Sequence, residues 1–307
     1  MLLISGCATV PKEVYLIEPA SRLEYSPEVY FRSSGPVLRD IVAGLGEREL
    51  RQLSASLGKD RQAGGGEDGN GGKLDLSSLD DILKRSRTVG AGLRGLGTDS
   101  IRMEAVLIGD FIPLSLRMGL AFDGSWKRLD DGGYRSTKYP IFIRPPAPGI
   151  VLLSSEAGGP PAASLANSPY PAAFDGISKS DLFISADGQA ALRSLPLPKE
   201  SGALPLKAVA LAGSYTEAYL TGHGPVSAQT PAYVLEVRIL MKDEASARSY
   251  RPIIRFLWAA AAGKLFGEGS PAGALVPVQE KDCYIVRGIE LTSAEFRRII
   301  GLVILGG

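Results

Sequence analysis

The chain has little sulfur and less imidazole. Two cysteines, Cys7 and Cys283, and one histidine, His223, occur in 307 residues. Two cysteines cannot supply a disulfide framework. A zinc site usually needs three or four His, Cys or acidic ligands, and the sequence shows no such cluster. An excess of either charge is also missing: 34 basic against 33 acidic residues leave a net charge of +1. That balance gives no electrostatic footprint for nucleic acid. Long apolar runs are absent too. No stretch reaches the ~18 consecutive apolar residues of a membrane-spanning helix.

Motifs for chemistry are equally sparse. His223 sits in Thr221-Gly222-His223-Gly224-Pro225, the composition of an exposed turn. Ser214 and Ser227 are the serines that a triad with His223 would use, but neither stands in a G-x-S-x-G elbow. The glycine-rich stretch 63–72 ends before Lys73-Leu74. A phosphate-binding loop needs Lys followed by Ser or Thr, so a surface loop is expected there. Asp80-Asp81, Asp123, Asp130-Asp131 and Asp243-Glu244 fall at expected helix ends and turns, without the spacing of a calcium loop. A glycosidase can work with two carboxylates brought together by folding, and that route stays open. No cofactor is expected.

What the sequence does contain is alternation between short apolar elements and glycine/proline punctuation. With 37 glycines and 21 prolines, the breaks are frequent. Val29-Tyr30-Phe31 reads as a strand. A helix follows from Pro36, whose missing N–H is harmless in a first turn. Leu38, Ile41, Val42, Leu45, Leu50, Leu53 and Leu57 recur on one helical face. Ser77 and Asp80 resemble a capping box. Gly90, Gly92, Gly95 and Gly97 predict a broken stretch. Ile101–Ile108 reads as a strand, Pro113 to Trp126 as a helix, and Tyr139–Ile143 and Gly149–Leu153 as strands joined by a tip at Pro145-Pro146-Ala147-Pro148.

Residues 156–180 are small and proline-dotted, and read as a linker or strap. Beyond them, Leu182-Phe183-Ile184 predicts a strand, Gln189–Leu195 a weak helix, and Leu206–Ala212 a strand ending at Gly213. Tyr233–Met241 alternates most clearly. Asp243 caps an alanine-rich helix to Leu265, with Tyr250, Ile253, Ile254, Leu257, Trp258, Ala261 and Leu265 as its core face. Leu275–Val278 and Tyr284–Val286 form a hairpin. Thr292 and Glu295 make a capping box for the last helix. Cys283 lies in an apolar run and reads as a small buried hydrophobe.

Both halves follow a similar order of strand, insert, strand, helix and hairpin. In this order Leu206–Ala212, ending at Gly213, corresponds to Ile101–Ile108, ending at Gly109, and Tyr233–Met241 has no clear counterpart. The expected fold class is α+β, with two distantly related units of mostly antiparallel sheet and packed helices. The expected division is 1–27 as signal remnant, lipid-attachment cysteine and tether; 28–155 as the first unit, with the glycine-rich loop 63–72; 156–180 as linker or strap; and 181–307 as the second unit.

The first residues supply the one address. Leu2-Leu3-Ile4-Ser5-Gly6-Cys7 is an apolar run closing on small residues and a cysteine. It resembles the lipobox of bacterial lipoproteins. The resemblance implies that Cys7 carries diacylglycerol and becomes the N-terminus. It also implies that the body faces the periplasm on a membrane tether, with an envelope protein as a further partner. The six residues before Cys7 hold no charge and are shorter than a full signal: either the true start codon lies upstream or the sequence begins late, and the alternative is a cytosolic protein with an apolar N-terminus and a chance Gly-Cys. Ala8 after the cysteine resembles the outer-membrane class. With no catalytic motif, a binding or assembly role is expected, together with an exposed apolar patch or groove. The alternatives are a hydrolase of envelope material and a chaperone or prolyl-isomerase-like domain, in which Tyr250, Phe256 and Trp258 would line a cleft.

Overall fold

The computed structural model describes residues 9–23, 25–44, 82, 84–96, 101–137, 141–155, 168–194, 204–216, 232–267 and 274–305. The chain divides into two compact units. One holds Met1–Pro27, Ser34–Arg39 and Ser54–Ser168; the other holds Glu28–Ser33, Asp40–Leu53 and Pro169–Gly307. Strand β1 (Val29–Ser34) runs directly into helix α1 (Gly35–Gly44). The expected apolar positions beyond Gly44, and the Ser77–Asp80 cap, lie outside the described residues.

In the first unit the chain forms β2 (Ser86–Arg94), β3 (Arg102–Gly109), α2 (Pro113–Phe122), β4 (Trp126–Arg128), β5 (Tyr134–Ser136), β6 (Phe142–Ala147) and β7 (Ile150–Ser154). The strands lie in the order β2-β3-β7-β6-β5-β4, and all the pairings are antiparallel. Ile108 pairs with Ile150 and Glu104 with Ser154. The core joins Val89, Leu107, Phe111, Leu120, Tyr134, Ile143 and Val151, with Leu38 and Trp126 packed against it.

Three expectations need correction here. The glycines at Gly90 and Gly92 do not break the chain; they lie within β2. A Cβ on Gly92 would stand 3.0 Å from Pro27 Cβ and 3.3 Å from Leu23 Cδ1, so the missing side chain admits a close neighbour rather than marking a turn. Trp126 is not helical. Helix α2 ends at Phe122, and Trp126 opens β4, opposite Ser136. Pro145 and Pro146 form no free tip. They lie within β6, where the register against β7 shifts between Arg144 and Ala147. A bulge of this kind accommodates residues that cannot donate to the ladder.

The second unit contains β1 and then β8 (Leu182–Asp187), α3 (Gly188–Ser194), β9 (Leu206–Tyr215), β10 (Tyr233–Met241), α4 (Glu244–Phe266), β11 (Val278–Glu280), β12 (Cys283–Leu291) and α5 (Ser293–Leu305). Its order is β1-β8-β9-β10-β12-β11, again antiparallel. Strand β9 does not stop at Ala212 but runs on through Gly213 to Tyr215, paired with Tyr233. A Cβ at Gly213 would meet Leu235 Cδ2 at 2.7 Å.

Asp243 caps α4 by accepting from Ser246 N at 2.7 Å. Ala247, Ile254, Leu257, Trp258, Ala262 and Phe266 are its buried residues. Ile253, expected on that face, is instead exposed. Tyr284 OH donates to Ala247 O, tying β12 to the helix. The Tyr233 and Phe296 rings stack at 3.8 Å between centroids.

Residues 169–180 pack within this unit. Tyr170 meets Phe183 edge-on at 4.9 Å, Phe174 is fully buried, and Arg238 Nη1 donates to Ala173 O at 2.6 Å. The fold is thus α+β. The strand pattern β2-β3-β7-β6 of the first unit recurs as β9-β10-β12-β11 in the second. Read as a strand ending at glycine, Leu206–Ala212 aligns with Ile101–Ile108, and so β9 with β3. The sheet topology instead matches β9 with β2, and gives Tyr233–Met241 its counterpart in Arg102–Gly109.

Candidate functional site

The corner of the first unit nearest in sequence to Cys7 is built from three chain segments. The N-terminal segment makes a 3-10 turn at Lys12–Leu16. Val10 and Val14 lie over Gly149, where a Cβ would stand 2.5 Å from Val10 Cγ1 and 2.8 Å from Val14 Cγ1. Gly149 has φ +79°, a backbone state that glycine adopts without penalty. It closes the β6–β7 turn, donating from its N to Phe111 O at 2.7 Å, while Gly109 N donates to Gly149 O at 3.0 Å.

A polar clasp completes the junction. Tyr15 OH donates to the Asp110 carboxylate, and that bond is the main cause of a raised Tyr15 pKa. The Arg87 guanidinium lies 3.9 Å from the Tyr15 ring centroid and 3.3 Å from Asp110 Oδ1. All three are exposed enough that the clasp fixes geometry more than it adds stability.

Helix α2 leaves from this corner. Pro113 occupies its first turn. Leu116 and Leu120 face the core beneath. Tyr134 OH donates to Arg117 O at 3.2 Å and pins the helix from below. On the other side, Leu114, Met118 and Phe122 are 69%, 50% and 83% exposed. A spacing of four places them in one row along the helix. Ile112 precedes the row and Leu16, at the end of the Lys12–Leu16 turn, is 85% exposed. Scattered exposed leucines are ordinary, but a contiguous apolar row ending in a phenylalanine is not. The sequence places Leu114, Leu116 and Leu120 on this helix, but does not separate the buried face from the exposed one.

The other candidates disperse. Cys7, His223, Ser227, Asp80, Asp81 and the stretch 63–72 lie outside the described residues. Ser214 lies in β9 opposite Val234. The carboxylates have local tasks. Asp123 accepts from Ser125 N. Asp131 accepts from Gly133 N and pairs with Arg144. The Gly133 bond is the largest cause of its lowered pKa, with Arg144 adding to it. Asp243 is a helix cap, and the bonds from Ser246 lower its pKa. Among the described residues, no group of three or more His, Cys, Asp or Glu could hold a metal ion. No described helix is long and apolar enough to cross a membrane.

Cys283 is free and buried. Burial pushes its thiol up to about 11, the opposite of a reactive cysteine. Trp258 is buried, with Nε1 donating to Leu275 O at 2.8 Å. Phe256 is 67% exposed on the outer side of the same helix. The two therefore do not line one cleft, which removes the geometry that a prolyl-isomerase-like pocket required.

No family model matches the sequence, and no curated protein matches it. Solved structures of TP0453 do resemble it. Crystal form IV superposes with a TM-score of 0.55 at 11% identity, over 93% of this chain and 97% of that one. Form III gives 0.53 at 10% identity over 93% and 98%, and form I gives 0.52 at 12% identity over 95% and 99%. At such identities the likeness is one of fold: nearly the whole length of each chain follows a similar path.

Proposed function

We propose that this protein is a lipid-anchored protein of the bacterial cell envelope, held through Cys7, with a binding or assembly role rather than a catalytic one. The observation that carries the reading is the apolar run Leu2-Leu3-Ile4-Ser5-Gly6-Cys7. Diacylglycerol with a further acyl chain would bury tens of methylenes at ~0.8 kcal/mol each, enough to anchor the body without a membrane-spanning helix. The exposed row on α2 supports a binding role, because a water-facing apolar surface of this kind is usually kept for a partner. Ala8 favours the outer membrane. An envelope protein is the expected second partner, beside membrane lipid.

The test is intact mass and membrane fractionation of the protein expressed with its native upstream sequence, beside Cys7→Ser. A membrane-associated species heavier by an acylated glycerol, absent in the variant, is expected. Unmodified protein in the cytosol would overturn the reading.

A further inference from the structure

We propose that β4 accepts an extended acidic segment of a partner protein as a further strand of the first unit's sheet, with carboxylates of that strand meeting Lys127 and Arg135. The inference gives the binding role a partner chemistry, and it does not depend on the anchor at Cys7.

The backbone supplies the first half of the argument. Strand β4 ends the order of strands, and among the described residues nothing pairs with its outer side. Ser125 O accepts from Thr137 N at 2.8 Å, and Leu129 N donates to Gly133 O at 2.9 Å. With Lys127 opposite Arg135 between them, the alternation of an antiparallel ladder turns the polar backbone atoms of Lys127 toward β5 and those of Arg128 away from it. Trp126 O also faces outward, while Trp126 N donates to Asp123 O at 3.0 Å. The edge thus offers one donor and two acceptors to a strand laid beside it.

The charges supply the second half. Strands β4, β5 and β6 hold Lys127, Arg128, Arg135 and Arg144 and no acidic residue. Arg144 is paired with Asp131 in the β4–β5 turn. Among the described residues no carboxylate pairs with Lys127, Arg128 or Arg135. Lys127 and Arg135 stand directly opposite each other, both exposed, while Tyr134 and Ser136 on the other face of β5 are buried. Like charges in that relation weaken a strand pair. A lysine on the edge strand guards a sheet against stray strands by itself; Arg135 lies one strand further in, over the Phe142 ring at 5.7 Å, and guarding does not require it. The row Phe142–Arg135–Lys127 therefore lacks only an acidic neighbour on the open side. A strand bonded to Arg128 would place a residue opposite Lys127 in a non-hydrogen-bonded pair, where side chains approach most closely. Its other parity would lie beside the half-buried Trp126, a place for a β-branched residue. The fitting partner alternates acidic and β-branched residues.

The test uses the full chain carrying Cys7→Ser and a fluorescein-labelled peptide, TEVEVET, read by anisotropy at low salt. TKVKVKT reverses its charge, and TEPEPET keeps the charge but cannot join a ladder. TEVEVET is expected to bind, and each control to bind at least about tenfold more weakly. Lys127→Gln with Arg135→Gln should weaken TEVEVET by about tenfold; both side chains are exposed, and urea unfolding checks that the variant stays folded. Bound peptide should also slow amide exchange at Arg128, the outward donor. Equal binding of TEPEPET would overturn strand addition and leave a surface that takes any polyanion, anionic lipid included. Binding that leaves Arg128 exchange unchanged, binding indifferent to the double variant, or no binding of TEVEVET would each overturn the proposal and leave the anchor untouched.

Discussion

Gly35 and Gly188 hold the same place in two turns of one recurring chain path. Each opens the helix that directly follows a strand, α1 after β1 and α3 after β8. A Cβ on Gly35 would overlap the Ser86 carbonyl oxygen, and one on Gly188 the Leu206 carbonyl oxygen. In both cases the obstacle is backbone at the first residue of a strand, β2 or β9, and neither carbonyl can move without disturbing its ladder. The Gly188→Ala variant should therefore lose about 1–3 kcal/mol, as overpacked sites do. Gly263→Ala is the matched control, because a Cβ added there in α4 would meet nothing within 4 Å. It should gain about 0.5–1 kcal/mol from helix propensity and unfolded-state entropy. Urea unfolding of both variants checks the opposite signs.

A second prediction concerns the polar contact between α1 and β10. Tyr233 OH donates to the Asp40 carboxylate, whose other oxygen lies 3.4 Å from Arg297 Nη2. Burial, and then the Asp40 bond, raise the Tyr233 pKa. The phenol stays neutral across the working pH range and acts as a donor to the carboxylate. Tyr233→Phe keeps the stack on Phe296 and removes the hydroxyl, with its bonds to Asp40 and Tyr215, and the double-mutant cycle isolates the Asp40 part. A cycle with Asp40→Asn, read by chemical denaturation, should give a coupling of about 1.5–3 kcal/mol, the range for hydrogen bonds to charged groups. Independent effects that simply add would show that the contact contributes nothing in solution.

The start of α5 offers a cleaner measurement. Thr292 N donates to Glu295 Oε2 at 2.9 Å, and Glu295 N donates to Thr292 Oγ1 at 3.3 Å. This is the reciprocal arrangement that the sequence spacing suggests. It satisfies two donors at a helix start that otherwise lack partners. Thr292→Ala should cost about 1 kcal/mol and Thr292→Ser much less. Because Phe296 and Ile299 are fully buried one turn on, loss of the cap should also speed hydrogen exchange in α5 before the rest of its unit.

Local rules make part of this fold legible and hide the rest. The period-two pattern of Tyr233–Met241, the Asp243 cap and the Thr292–Glu295 box depend on neighbours a few residues away, and the sequence displays them. Gly92 misleads because its reason is distant: Leu23 and Pro27 press on β2 from a segment far earlier in the chain. Pro145 and Pro146 mislead because a bulge depends on the partner strand β7. The apolar spacing around Trp126 fits a helix, whereas its pairing with Ser136 decides the matter. The α2 row is half visible. Leu114, Leu116, Met118, Leu120 and Phe122 are all apolar, and only packing against Tyr134 and its neighbours divides them into a buried and an exposed face.

Cys283 gives the last prediction. Its thiol is buried in β12, with Sγ 3.6 Å from Tyr284 O, and burial raises its pKa from an ordinary 9.0 to about 11. The folded state therefore holds the proton more tightly than the unfolded chain. The associated stability is fully present below pH ~9, where both states are protonated, and is lost as pH rises toward about 11. At pH 8 an aromatic disulfide reagent needs the thiolate and an open path, and Cys283 offers neither. In the Cys7→Ser protein, labelling of Cys283 should therefore be at least about a hundredfold slower than in urea. The labelling rate should follow the population of open molecules as denaturant is added. Fast native labelling at pH 8 would show that the β12 side of the α4 core opens far more often than its packing implies.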